Sequence, residues 1–263
     1  MPLSDARLID LLHDTAGAIG DALRGVTDWG LAGTRAGQYH SDLAADTAAL
    51  KVLNAAGVGV LSEESGLHSG DEDEDVVVVV DPLDGSTNAS RGIPWFATSL
   101  CAVDADGPRA GLVVDVPRQR RFVAVRGGGA TVDGVPLRPS GVTRLDRAVV
   151  GLSGFPPRYL GWRQYRALGA AALDLCAVAE GTLDAYVDCT PSAHGSWDYL
   201  GALLVCREAG AVVGEAFDRD LVALDHAARR TPLAAATPEL YAQVLSARRS
   251  PGWPDTSDTA PPT

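Results

Sequence analysis

Apolar and polar positions along the chain follow two periods, and the first to appear is helical. Leu8, Ile9, Leu11, Leu12, Ile19 and Leu23 recur near helical spacing, which predicts an amphipathic helix over 4–24 with Ser4 as its cap. A second helix is predicted over 42–55, stopping near Gly57, and a short strand, GVGVLS, follows it. Five consecutive valines at 76–80 then run into D-P-L-D-G-S-T-N at 81–88. An apolar run of this length, with no polar alternation, is the pattern of a strand buried on both faces. Proline lacks the N–H that a ladder needs, so the strand is expected to stop at Pro82.

From 95 to 126 the period changes to that of strands and turns. WFATSLCAV, RAGLVVDV and RRFVAVRGGGA are separated by the turn signals DADG and VPRQ, as in an antiparallel sheet. The glycines at 127–129 lack the strand-to-helix setting of a nucleotide loop and read as a turn. Further helices are predicted over 163–180 and 197–208, the second closed by Gly210, with strands at LDAYVD (183–188) and AVVG (211–214). DEDED at 71–75 reads as a solvated acidic loop, because the glycine that a calcium loop requires is missing. The expected organisation is an N-terminal α+β subdomain over 1–145 that carries the main acidic motif. A C-terminal α/β subdomain over 146–250 completes the site, and a disordered tail spans 251–263.

Composition narrows the chemistry. The chain has 22 Lys and Arg against 34 Asp and Glu, a net charge of −12. Phosphate backbones are held by clustered Lys and Arg, so this balance predicts no nucleic-acid partner and no anionic membrane surface. A phosphorylated metabolite remains compatible if bound cations supply local positive charge. The four cysteines form no CxxC pair and read as reduced thiols of a cytoplasmic protein. The N-terminal segment carries Asp5 and Asp10 within its apolar pattern, unlike a signal peptide, and no apolar run reaches membrane-spanning length.

The candidate chemistry lies where greasy strands end in acid. Asp81 and Asp84 flank Pro82 and Leu83 after the valine run, and Glu63 and Glu64 follow GVGVLS. Asp198 stands beside Trp197 at a predicted helix start, where Ser196 could serve as cap. Carboxylates at the ends of buried strands are costly unless a cation meets them. An all-oxygen ligand set suits magnesium or manganese rather than zinc. Gly85, Ser86 and Thr87 form a tight turn whose backbone N–H groups can hold a phosphate, the more so if a helix begins there.

D-P-L-D-G-S-T-N at 81–88, with W-D at 197–198 and E-A-G at 208–210, resembles the inositol monophosphatase family of lithium-sensitive, magnesium-dependent phosphatases. The resemblance implies a layered αβαβα sandwich of the sugar-phosphatase type, usually a homodimer, holding two to three Mg2+ ions, with Mn2+ an alternative. Carried over by position, Glu63, Asp81, Leu83 (through its carbonyl), Asp84 and Asp198 resemble the metal ligands. Ser86, Asp46 and Glu64 resemble the residues that activate the attacking water. Gly85, Ser86, Gly169, Ala171 and Asp188 resemble the substrate contacts. The implied activity is hydrolysis of a small polyol or sugar phosphate by direct attack of metal-activated water. Nucleotide 3′-phosphatase, fructose-1,6-bisphosphatase and histidinol-phosphate phosphatase are alternatives within the same chemistry, and a catalytically silent metal-binding relative is an alternative outside it. Several positions depart from the family pattern. Ser62 replaces a glycine, Ser86 a threonine and Ala89 an aromatic, Leu200-Gly201 stands for a small pair, and Asp188 lies ten residues before Asp198, with His194 in the longer loop between.

Overall fold

The computed structural model describes residues 3–253 apart from 34, 36 and 72–74. Most of the acidic stretch 71–75 and the tail from 254 onward therefore lie outside the described residues. The first 140 residues give α1 (Asp5–Gly25), α2 (His40–Ala55), β1 (Gly59–Ser62), β2 (Gly66–His68), β3 (Val77–Asp84), α3 (Ser86–Arg91), β4 (Ala97–Asp104), β5 (Gly107–Asp115), β6 (Arg120–Val125), β7 (Gly129–Val132) and β8 (Val135–Pro136). Beyond them come β9 (Val149–Ser153), β10 (Gln164–Arg166), α4 (Ala171–Ala179), β11 (Ala185–Asp188), α5 (Leu200–Ala209), β12 (Val212–Glu215), β13 (Pro232–Ala235) and α6 (Pro238–Arg249), with 3-10 turns at Leu145–Arg147 and Ser196–Asp198.

Two sheets and three helix layers result. The first sheet has eight strands in the order β2-β1-β3-β4-β5-β6-β7-β8, and the second has five in the order β10-β9-β11-β13-β12. The valine run explains the layering. Val76, Val78 and Val80 join Leu8, Leu12, Ile19, Ala45, Ala49 and Leu53 in a core beneath α1 and α2. Val77 and Val79 point the other way, into the core built by α4 and α5 with Leu61, Cys101, Val113 and Phe122. Successive strand side chains alternate faces, so one run of valines supplies both cores. The second sheet covers the far side of α4 and α5, and its outer face packs Val150, Leu152, Val187 and Leu233 against Leu240 and Val244 of α6. This is the αβαβα sandwich. Helix α5 approaches the first sheet closely enough that a Cβ on Gly201 would sit 2.9 Å from the Leu100 carbonyl oxygen.

Several elements differ from expectation, for identifiable reasons. Strand β3 does not stop at Pro82 but runs to Asp84, with its register against β4 shifting between Asp81 and Asp84. A bulge tolerates a residue without an N–H. The helix read over 163–180 begins only at Ala171, and 164–166 pair with β9 instead. Gly169 between them has φ 88°, a left-handed turn that no helix passes through. Near 197 the chain makes a 3-10 turn before α5 starts at Leu200. Ser196 is not its cap: the Asp198 carboxylate accepts the Gly195 N–H at 2.8 Å, and the buried Ser196 hydroxyl makes no hydrogen bond. No helix among the described residues is long and apolar enough to cross a membrane.

Candidate metal centre

The bulge in β3 sets up the site. In a regular strand residues i and i+3 face opposite sides of the sheet. The register shift between Asp81 and Asp84 removes that opposition, and both carboxylates come within electrostatic reach of Asp198. Glu63, at the end of β1 next door, completes the group: oxygens of Glu63, Asp81 and Asp198 lie within 4.8 Å of one another. Strands β1 and β3 run parallel, with Ser62 opposite Val80. The residues that follow this pair, Glu63 and Asp81, therefore emerge at the same edge.

The electrostatics follow from crowding. Burial raises the Glu63 carboxyl well above the usual carboxylate range, and Asp198 and Glu64 add to it. Asp81 is raised in the same way by burial, then by Glu63 and Asp84. Asp84 is pushed up to about 7, by burial and then by Asp198. Such a cluster keeps all its carboxylates ionised only when a cation shares them. The donors are hard oxygens, so they fit Mg2+ or Mn2+.

Each predicted residue has a definite place. Asp81 accepts the Leu83 N–H at 3.0 Å, which folds the turn over the buried Leu83. Asp84 accepts N–H groups of Ala171 (3.3 Å) and Ala172 (2.7 Å), so its carboxylate sits on the N-terminus of α4. Gly85 is left-handed, with φ 85°, and precedes α3. A Cβ on it would meet the Gly169 oxygen at 3.1 Å and Ala170 Cβ at 3.2 Å. Gly169 and Ala171 thus join the acidic turn, while Ser86 opens α3. Glu64 accepts hydrogen bonds from Arg35, at 2.9 Å, and Gln38. Asp46, buried on α2, accepts from the Ser62 hydroxyl, and no hydrogen bond joins it to Ser86 among the described residues.

Asp188 is fully buried at the end of β11, where it accepts the Thr190 N–H at 2.9 Å. Burial raises it to about 6. His194 Nε2 lies 3.8 Å from Asp188 Oδ2, and Arg248 Nε donates to the Asp188 carbonyl at 2.8 Å. Burial opposes the charge on His194, but Asp188 and Asp198 outweigh it and raise the imidazole to about 9.

Sequence reasoning missed three residues that hold the site together. Asn88 donates to the carbonyls of Trp95 and Leu168, both at 2.7 Å, tying α3 to the segment before α4. His226 stacks on Trp197 with ring centres 4.8 Å apart and lies 3.0 Å from the Glu63 carbonyl. Arg229 covers the same indole at 5.0 Å. The signal for Asn88 lay inside the motif itself. His226 and Arg229 stand in a loop with no pattern of its own.

Comparison with known proteins agrees with this geometry. The profile of the inositol monophosphatase family matches residues 40–251. A fructose-1,6-bisphosphatase/inositol-1-monophosphatase of Methanocaldococcus jannaschii is 31% identical over 195 residues, 70% of this chain and 75% of that one. A protein of Pasteurella multocida named Nus factor SuhB is 36% identical over 169 residues, 59% of this chain and 61% of its own length. The chain thus spans about three-fifths of the Nus factor relatives it matches. Among solved structures, the extragenic suppressor protein SuhB of Bartonella henselae superposes with a TM-score of 0.79 at 26% identity, covering 92% of this chain and 98% of that one. These relatives correct one expectation. The acidic overall balance predicts no nucleic-acid partner, yet several relatives at 33–36% identity carry the name of a Nus factor rather than of a metabolite hydrolase. Net charge summed over a chain does not describe any one face of it, so the acidic balance does not exclude such a partner. A profile over residues 40–251, a relative matched along three-quarters of its length and a shared fold lead to one conclusion: the chain belongs to the inositol monophosphatase family.

Proposed function

We propose that the chain is a divalent-metal-dependent phosphomonoesterase acting on a small polyol or sugar phosphate. The observation that carries this reading is the convergence of Glu63, Asp81 and Asp198 within 4.8 Å, next to the left-handed Gly85 turn. Glu63, Asp81 and Asp198 would hold a cation, with Asp84 and the Leu83 carbonyl as further oxygen ligands. When bound, Mg2+ or Mn2+ supplies an acidified water and neutralises the charge of the leaving alkoxide.

The chain's own residues do the rest. Backbone N–H groups at the start of α3, from Ser86 onward, have no intrahelical acceptor and are available to phosphate oxygens. In this reading the Ser86 hydroxyl orients the attacking water, and Asp46 on α2, which accepts from Ser62, is the carboxylate that draws off its proton. Gly169 and Ala171 form the backbone wall against the alcohol.

Hydrolysis of a panel of phosphate esters, with Mg2+, Mn2+ or EDTA, tests the reading. Turnover should need the metal and vanish in Asp81→Asn, and a panel left intact under both metals would sink it. The Nus factor relatives support a second reading, in which this chain serves as a Nus factor. An Asp81→Asn chain that replaces the parent in a transcription assay but hydrolyses nothing would favour that reading.

A further inference from the structure

Asp198 uses its two oxygens differently. Oδ2 accepts the Gly195 N–H at 2.8 Å and lies 3.1 Å from His194 Nδ1. Oδ1 accepts no hydrogen bond among the described residues, which leaves it for a cation. The ring of His194 is held on its other edge as well. Its Nε2 lies 3.1 Å from the Tyr186 hydroxyl, 3.2 Å from the Ser153 hydroxyl and 3.8 Å from Asp188 Oδ2. Ser153 ends β9, while Tyr186 and Asp188 belong to β11. The imidazole therefore links Asp198 to β9 and β11 of the second sheet, whereas Asp81 lies in β3 of the first and Glu63 directly follows β1.

Resting on the metal-centre reading above, we propose that His194 is a positioning residue for that centre. It donates its Nδ1–H to Asp198 Oδ2 and so fixes the carboxylate with Oδ1 turned to the cation. An ionised carboxylate can only accept, so Nδ1 carries the proton whatever the state of Nε2. Tyr186 and Ser153 can donate to Nε2 or accept from it, and the role does not depend on the ring's charge. Partners that orient a ligand in this way typically change metal affinity by about 10–100-fold.

Titration of the full chain with Mn2+ alone, read from the electron paramagnetic resonance of the free ion, tests the proposal. An Asn at 194 places an amide N–H where Nδ1 stood, and a Gln places it where Nε2 stood. His194→Leu and His194→Gln should bind Mn2+ about 10–100-fold more weakly than the parent. His194→Asn should recover most of the loss. A His194→Leu chain that binds as tightly as the parent overturns the proposal, and so does an Asn variant no better than Gln. Should the Leu variant not fold, the Asn and Gln pair decides alone. Asp81→Asn is titrated alongside. Lost binding there with full binding in His194→Leu removes only the role of His194, while unchanged binding in Asp81→Asn removes the metal centre and the proposal with it.

Discussion

Ser62 stands where a glycine is usual in the family it resembles, and its hydroxyl bridges Asp46 and the backbone N–H of Glu64. Both Ser62 and Asp46 are buried, so removing the hydroxyl leaves a carboxylate short of a donor that water cannot easily replace. Ser62→Ala should therefore cost about 1–3 kcal/mol, read as a lower urea midpoint at unchanged slope. Asp42, four residues before Asp46, makes a different prediction. Burial raises its carboxyl to about 6, with Glu64 adding to the effect, although the Tyr39 N–H at 2.8 Å works the other way. An unfolded aspartate titrates at about 3.9, so the folded state holds this proton more tightly. The stability it contributes is complete below that value and is lost as pH rises through about 6. Thermal melts of the parent and Asp42→Asn should differ in slope over this window, and parallel curves would refute the assignment. Single residues such as these were only partly legible. The acids announced themselves as charge at the ends of apolar strands, but the partner of Asp46 depended on a neighbour that only folding brings close.

Among the elements, the turn from β3 into α3 and its contact with α4 decide the site's shape. Gly85 needs a left-handed backbone, and a Cβ there would fit tightly, 3.1–3.2 Å from Gly169 and Ala170. Gly85→Ala should cost about 1–3 kcal/mol from backbone conformation alone. It should also push the start of α4 away from Asp84, so faster amide exchange at Ala171 and Ala172 than in the parent is the expected signature. Unchanged exchange would mean that the two segments are not coupled. Long periodic elements could be read directly: α1 begins within a residue of expectation, and the β4–β6 meander follows its turn signals. Helix α4 could not, because every one of its residues is buried and it has no polar face to mark its start. Strand β13, Pro232–Ala235, is rich in alanine and gave no strand signal at all.

For the molecule as a whole, the proposed ligands come from both sides of the sandwich. Asp81 lies in β3 and Glu63 directly follows β1 of the first sheet, while Asp198 sits in the 3-10 turn that comes after β11 of the second. A cation bound by all three would therefore stabilise the union of the halves. At about 100 times its dissociation constant a ligand adds about 2.7 kcal/mol. For a chain of this size that corresponds to a rise in Tm of roughly 5–10 °C. Melts with Mg2+ and with EDTA should differ by this amount in the parent and coincide in Asp81→Asn. The layered architecture could be expected from the motif's resemblance to a family. It could not be expected from periodicity, since the second sheet is built of strands three to five residues long.

The five valines of 76–80 carry one more consequence. Residues 76–80 offer only valine to either face, so sliding this first half of β3 by one residue replaces valine with valine at most of its positions. Hydrophobic pattern normally fixes strand pairing because a slip turns core residues outward, and here that penalty is nearly absent. What tells β1 and β4 where to pair is the polar end, where a slip would drive Asp81 into the place of Val80. The acids that would hold the metal therefore also serve as the address label of the central strand. Replacing them with apolar residues would remove the proposed metal ligands and at the same time make the sheet's alignment ambiguous.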